Sequence, residues 1–129
     1  MCNREPQVYR RDVHFVIMGC GRVGSRLATS LEKRGHSVSV IDVNVASFRR
    51  LGPTFTGHTV TGVGFDRDVL LEAGITEADG FAAVSSGDNS NILAARVVRE
   101  HFDIDNVVAR IYDPGRAEVY ERLGIPTVA

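Results

Sequence analysis

Six residues, Gly19-Cys20-Gly21-Arg22-Val23-Gly24, constrain this chain more than any other stretch. They follow an apolar, β-rich run at residues 13–18 and open a segment, 22–34, whose Val23, Leu27, Ala28 and Leu31 share one helical face before Gly35 stops it. Glycines spaced G-x-G-x-x-G are common by chance in a chain with 13 glycines. The same spacing between a strand and a helix, with an acid about 20 residues on at the end of a second strand, is a nucleotide-binding signature. Asp42, closing Ser37–Asp42 (SVSVID), is that acid. Each glycine has its own reason. Gly19 makes the tight strand-to-helix turn, Gly21 lets a pyrophosphate approach bare backbone, and Gly24 lets the helix pack close to the strand. The N–H groups at the helix start, around Arg22 and Val23, then face the phosphates. Asp42 would accept from ribose hydroxyls and repel a 2′-phosphate, favouring NAD or an adenine nucleotide over NADP.

Strand and helix alternate through the rest of the chain. Short strands are expected at His58–Thr61, 80–85, 106–111 and 126–129. Helices are expected at Val45–Leu51, 66–73, 89–102 and 114–123, the last with Pro114 in its first turn. Five such alternations in 129 residues make one domain, α/β in class: a Rossmann-like, doubly wound, mainly parallel sheet of about six strands with helices on both faces. Residues 1–12 are read as a flexible N-terminal segment and 13–129 as the folded unit.

Composition narrows the function. A net charge of −1 argues against nucleic acid as a general partner, which would need a basic face. No apolar run nears the ~20 residues of a membrane span, and MCNREPQVYRRD has no apolar core of a signal peptide, so membrane contact is expected only through a partner. Cys2 and Cys20 form no disulfide framework, which fits a cytoplasmic protein. All basic residues but Lys33 are arginine, so Tyr9, Tyr112 and Tyr120 lack the lysine partner of a Tyr-x-x-x-Lys dehydrogenase site. His14, His36, His58 and His101 have no metal-ligand spacing.

Beyond the glycine loop, DVLLEAGI-x-x-AD (68–79), D-N-x-N-I-L-A-A (88–95) and AR-x-x-DP (109–114) follow GCGRVG in order. Together they resemble the RCK domain, also called KTN or TrkA-N, over about residues 13–128. That resemblance implies a cytosolic gating module of a potassium channel or potassium transporter, not an enzyme. Such modules bind NAD(H), or ATP, ADP and AMP, in the glycine-loop cleft and assemble as dimers, then rings, beneath a membrane pore. Residue by residue, it implies that Gly19, Gly21, Arg22, Val23 and Gly24 hold phosphates and Asp42 the ribose, with Val43 and Asn44 alongside. Ser85 and Ser86 would stand at the switch point, Arg110, the arginine of the AR pair, would reach a phosphate, and Gly64 would lie near the adenine. Many relatives carry an acid where this chain has Val63, within Gly62-Val63-Gly64, which removes an acceptor for the adenine amino group. Members also carry a C-terminal lobe beyond the sixth strand, which is expected to be absent here. The alternative is the cofactor domain of an NAD-dependent oxidoreductase.

Three features carry two readings each. Arg22 opposes the dipole of its helix unless a phosphate sits above it; otherwise it is an exposed arginine. Asp88-Asn89-Ser90-Asn91 is either ligand-facing or N-capping, with Asp88 or Ser90 as the cap. Cys20 is a redox-sensitive thiol or a small buried residue. The helix that follows Asp88-Asn89-Ser90-Asn91, apolar at Ile92, Leu93, Ala94, Ala95, Val97 and Val98, covers a wider arc than one sheet face buries, so a dimer contact is expected there.

Overall fold

The computed structural model describes residues 13–128; the N-terminal segment 1–12, including Cys2, and Ala129 lie outside the described residues. Six strands, β1 (His14–Met18), β2 (Ser37–Asp42), β3 (His58–Thr61), β4 (Gly80–Ala83), β5 (Val107–Arg110) and β6 (Thr127–Val128), form one sheet in the order β3-β2-β1-β4-β5-β6. Every pairing is parallel, with Met18 opposite Ile41 on one side and Ala83 on the other. The chain reverses its direction of travel across the sheet between β1 and β4, which opens a crevice at the carboxyl ends of those strands.

Alternation within each strand separates two cores. Val16, Met18, Ile41, Phe81, Ala83, Val107 and Ala109 face α2 (Arg67–Glu72), α3 (Asp88–His101) and α4 (Pro114–Arg122), where Leu70, Ile92, Ala95 and Val98 meet them. Ile17, Val38, Val40, Ala82 and Val84 face α1 (Arg22–Lys33) and the segment Val45–Leu51, where Ala28, Leu31, Phe48 and Leu51 meet them. Strands buried on both faces explain why VHFVIM reads as a mostly apolar run.

Several boundaries differ from expectation for local reasons. Val45–Leu51 winds as a 3-10 helix, capped by Asn44 Oδ1 accepting from Ala46 N–H at 3.1 Å. A further 3-10 turn, Ile75–Glu77, follows Gly74, whose φ of 82° is left-handed. β4 ends at Ala83 rather than residue 85, where its ladders to β1 and β5 both end, at the pairs with Met18 and Ala109. α3 begins at Asp88 with Gly87 as N-cap and no side-chain capping bond, so neither Asp88 nor Ser90 caps it.

The wide apolar arc of α3 is mostly used inside the monomer. Ile92, Ala94, Ala95 and Val98 are buried, Val97 is half-buried, and Leu93 alone of that set is exposed. Two polar contacts tie α3 to α4 and the two residues that follow it. Arg116 donates to Asn89 Oδ1 at one end of the pair and Arg99 to the Gly124 carbonyl at the other. Among the described residues no helix is long and apolar enough to cross a membrane.

Candidate functional site

The crevice predicted by the topology is a cleft of about 630 Å³. Its floor is the glycine loop. Gly19 has φ 109°, and a Cβ there would sit 2.7 Å from the backbone of Ser85. The turn therefore passes hard against the exit of β4, and only glycine fits both the angle and the space. Gly21 is the N-cap of α1, and a Cβ on it would meet nothing within 4 Å, so the space above it is open to a ligand. A Cβ on Gly24 would overlap the Gly19 carbonyl outright. This residue seats the helix on the loop and does not line the cleft. No side chain caps α1 and no acid lies in its first turn, so its N–H groups and dipole present an uncompensated positive end to the cleft. Exposed Arg22 adds a full charge.

Asp42 closes the β2 side. Its Oδ2 accepts from Cys20 N–H at 2.7 Å and its Oδ1 from Asn44 N–H at 2.8 Å. The carboxylate thus staples the glycine loop to the turn after β2. Each oxygen keeps a further lone pair, so the group can still accept from a ribose. Val43 and Asn44 line the same end, with Ser47 from the 3-10 segment. Cys20 is fully buried beneath them, its thiol donating to the Ser47 carbonyl at 3.4 Å. Burial first, and the Asp42 charge second, push that thiol up to about 11 against a partly opposing Arg50. A thiolate-based redox role is disfavoured, and the small-buried-residue reading stands.

The opposite wall belongs to β4 and β5. Ser85 and Ser86 follow β4; Arg110 ends β5, and Tyr112 follows it. Asn91 Oδ1 accepts from both the N–H and the hydroxyl of Ser85, while its Nδ2 donates to the Ser85 and Arg110 carbonyls. Asp88 Oδ1 accepts from Tyr112 N–H at 2.8 Å and Oδ2 from Asp113 N–H at 3.0 Å. Those donors, Tyr112 N–H foremost, hold the Asp88 carboxyl below its ordinary range, and Arg116 adds to them. The D-N-x-N run is therefore scaffolding for the wall, neither ligand-facing nor capping. Arg110 places its guanidinium 4.5 Å from the centre of the Tyr112 ring, and its buried Nε has no hydrogen-bond partner among the described residues.

Of the residues singled out from sequence, Gly19, Gly21, Arg22, Val23, Asp42, Val43, Asn44, Ser85, Ser86 and Arg110 line this cleft together. Gly24 and Gly64 do not. Gly64 is buried against Met18, where a Cβ would collide with the thioether, and Met18 belongs to the core on the sheet face away from α1. Gly64 therefore neighbours Met18 of the core and not the cleft. Sequence reasoning missed Ser47, Val84 and Tyr112 as lining residues. For Tyr112 a signal existed, since it follows the arginine of AR-x-x-DP by two positions; Ser47 and Val84 had none.

A larger hollow, about 1150 Å³, lies at the other end of the strands, around His14, Ser37, His58 and Asp79. Ligands of open α/β sheets bind at the carboxyl ends. The His14 ring is already held between Ser37 Oγ at 2.8 Å and the Ala73 carbonyl at 3.0 Å. Among the described residues no group of three His, Cys, Asp or Glu could hold a metal.

The model of the TrkA-N domain matches residues 15–129. The chain is 71% identical over 117 residues to the Trk system potassium uptake protein TrkA of Streptomyces coelicolor, covering 91% of this chain and 52% of that protein. A TrkA homolog of Pyrococcus abyssi is 34% identical over 111 residues, covering 86% of this chain and 49% of the relative. The chain thus spans about half the length of these relatives. In fold it is similar to the TrkA-N domain of the Escherichia coli inner membrane protein ybaL, with a TM-score of 0.79 and 18% identity over 92% of this chain and 87% of that one. It is also similar to the AMP-bound Kef CTD of Shewanella denitrificans, with a TM-score of 0.75 and 22% identity over 89% and 70%. The GsuK channel bound to NAD gives 0.73 and 23% over 92% and 21%.

Proposed function

The chain belongs to the TrkA-N domain family, and from that premise we propose that it is a nucleotide-sensing regulatory module of a potassium uptake system or potassium channel. Its ligand is NAD(H) or an adenine nucleotide: ATP, ADP or AMP. The observation that carries this reading is the uncapped, glycine-floored start of α1 set between the Asp42 carboxylate and the Arg110 guanidinium. A ligand with ribose hydroxyls at one end and phosphates at its middle matches that order of charges. Relatives solved with AMP, NAD and ADP support the same ligand class.

The module works by population shift. A nucleotide that binds one cleft geometry better than another moves the equilibrium by no more than that difference in affinity. It acts in the cytoplasm, at the inner face of the membrane, through a membrane transporter or channel subunit, and it assembles as a homodimer, with rings a further step. Exposed Leu93 on α3 and Val119 and Leu123 on and after α4 offer the apolar surface for that pairing. The cleft is read as a binding site and not a catalytic one. Among its lining residues Cys20 is buried with its thiol pushed up, and Tyr112 has no lysine partner.

Calorimetric titration with NAD+, NADH, ATP, ADP and AMP, beside Asp42→Ala and Arg22→Ala, tests the proposal. Binding of at least one ligand, weakened in both variants, is the expected result. No binding by the folded wild type at millimolar concentration would sink it.

A further inference from the structure

The cleft runs along four strand ends: Asp42 after β2, the glycine loop after β1, Ser85 and Ser86 after β4, then Arg110 and Tyr112 at β5. Three interstrand steps make it about 14 Å from end to end. A mononucleotide with its ribose at Asp42 and its phosphates at Gly21 and Arg22 reaches only the switch point between β1 and β4. The β4–β5 half of such a crevice is where the second half of a dinucleotide lies.

What stands in that half is a presented aromatic ring. Tyr112 is 49% exposed, yet its backbone is fixed by the Asp88 carboxylate through its own N–H and that of Asp113. In this state one ring face is taken by the Arg110 guanidinium, whose buried Nε lacks an acceptor. A diphosphate bound beside Arg110 would offer its guanidinium charge-assisted acceptors and so compete with the ring for it. The vacated face suits a flat ring, above all a cationic one, because a phenol face carries negative potential.

We propose that Tyr112 is the specificity-determining residue of the cleft, a stacking platform for the nicotinamide ring, so that the module is tuned to the dinucleotide NAD+ over ADP or AMP. The proposal rests on the nucleotide-binding reading above. Its test compares NAD+, ADP-ribose and ADP by calorimetry on wild type, Tyr112→Phe and Tyr112→Ala; the side chain is half-exposed, so both variants should fold. Tyr112→Ala should weaken NAD+ roughly five- to thirty-fold. ADP-ribose, which lacks only the terminal ring, and ADP should stay within about twofold, and Tyr112→Phe should match wild type throughout. An equal loss for ADP, or an unchanged affinity for NAD+, overturns the assignment. Wild type that binds ADP but not NAD+ overturns it too, leaving the nucleotide cleft intact. Wild type that binds none of the three removes the cleft reading and this inference together.

Discussion

Asn91 and Ser85 are joined by three hydrogen bonds. The Asn91 Oδ1 accepts from Ser85 N–H at 2.9 Å and from Ser85 Oγ at 2.7 Å, and its Nδ2 donates to the Ser85 carbonyl at 2.9 Å. The second Nδ2 proton goes to the Arg110 carbonyl at 2.7 Å, which exhausts the amide's capacity. The β4–β5 ladder has already ended, its last pair being Ala83 with Ala109. One fully buried side chain on α3 therefore does what further strand pairing would do, and holds the β4 and β5 exits as one wall.

Replacing Asn91 should consequently cost far more than one hydrogen bond. Asn91→Leu keeps the shape but strands Ser85 N–H and two carbonyls, and each unsatisfied buried group costs about 1–3 kcal/mol. A loss of about 3 kcal/mol or more is expected from urea denaturation. Ser85→Ala removes only the hydroxyl and should cost about 1 kcal/mol. Near-equal midpoints for the two variants would show that Asn91 is not the strut.

The glycines of the loop separate folding from binding. Gly24→Ala drives a methyl into the Gly19 carbonyl and should destabilise by about 3 kcal/mol or more, a strain well beyond an ordinary overpacked core. Gly21 has φ −87° and open space around a built Cβ, so Gly21→Ala should change stability by less than about 0.5 kcal/mol. Its methyl would occupy the path of the phosphates, and nucleotide affinity should fall about tenfold or more. A thermal scan paired with a titration reads both. A Gly21→Ala protein that binds normally would mean the phosphates pass elsewhere.

The fold was legible because its signals are local and repeated. Buried parallel strands such as VHFVIM are mostly apolar runs, and glycine or proline marks many of the boundaries. The cleft was legible where function and backbone geometry coincide, at Gly19, Gly21 and Asp42. It was illegible where a side chain is recruited by topology alone. Nothing in D-N-S-N says that Asp88 will reach across 24 positions to Tyr112, or that Asn91 will turn inward and bind Arg110. Gly64 misled for the converse reason, since a glycine packed against Met18 looks in sequence like one required by a ligand.

Cys20 gives a pH dependence with a definite sign. Its thiol sits near 9.0 in ordinary surroundings and is pushed up to about 11 by burial, with Asp42 adding to it. Below pH 9 both folded and unfolded chains keep the proton and the group contributes nothing to pH dependence. Between 9 and 11 only the unfolded chain ionises, so stability falls as pH rises, by roughly 2 kcal/mol across the interval. In a Cys2→Ser background, the difference in unfolding free energy between Cys20 and Cys20→Ala should shrink over that range. Alkylation of the native thiol at pH 8 should be at least about 100-fold slower than in urea. Rapid native alkylation would return Cys20 to the list of redox candidates.

The dimer prediction moves from α3 to the surface that α3 and α4 share. Ile92, Ala95 and Val98 are spent on the monomer core, whereas Leu93 remains 44% exposed and Leu123 63% exposed. Large apolar side chains left on two adjoining helices bury against a partner at little cost to either monomer. Charged replacements there should act on assembly and spare the fold. Leu93→Glu with Leu123→Glu is expected to shift sedimentation from dimer to monomer while the thermal midpoint at low protein concentration moves by no more than about 2 °C. A wild-type chain that is monomeric at high micromolar concentration would overturn the dimer itself. A double variant that still dimerises would exclude these two helices as the contact.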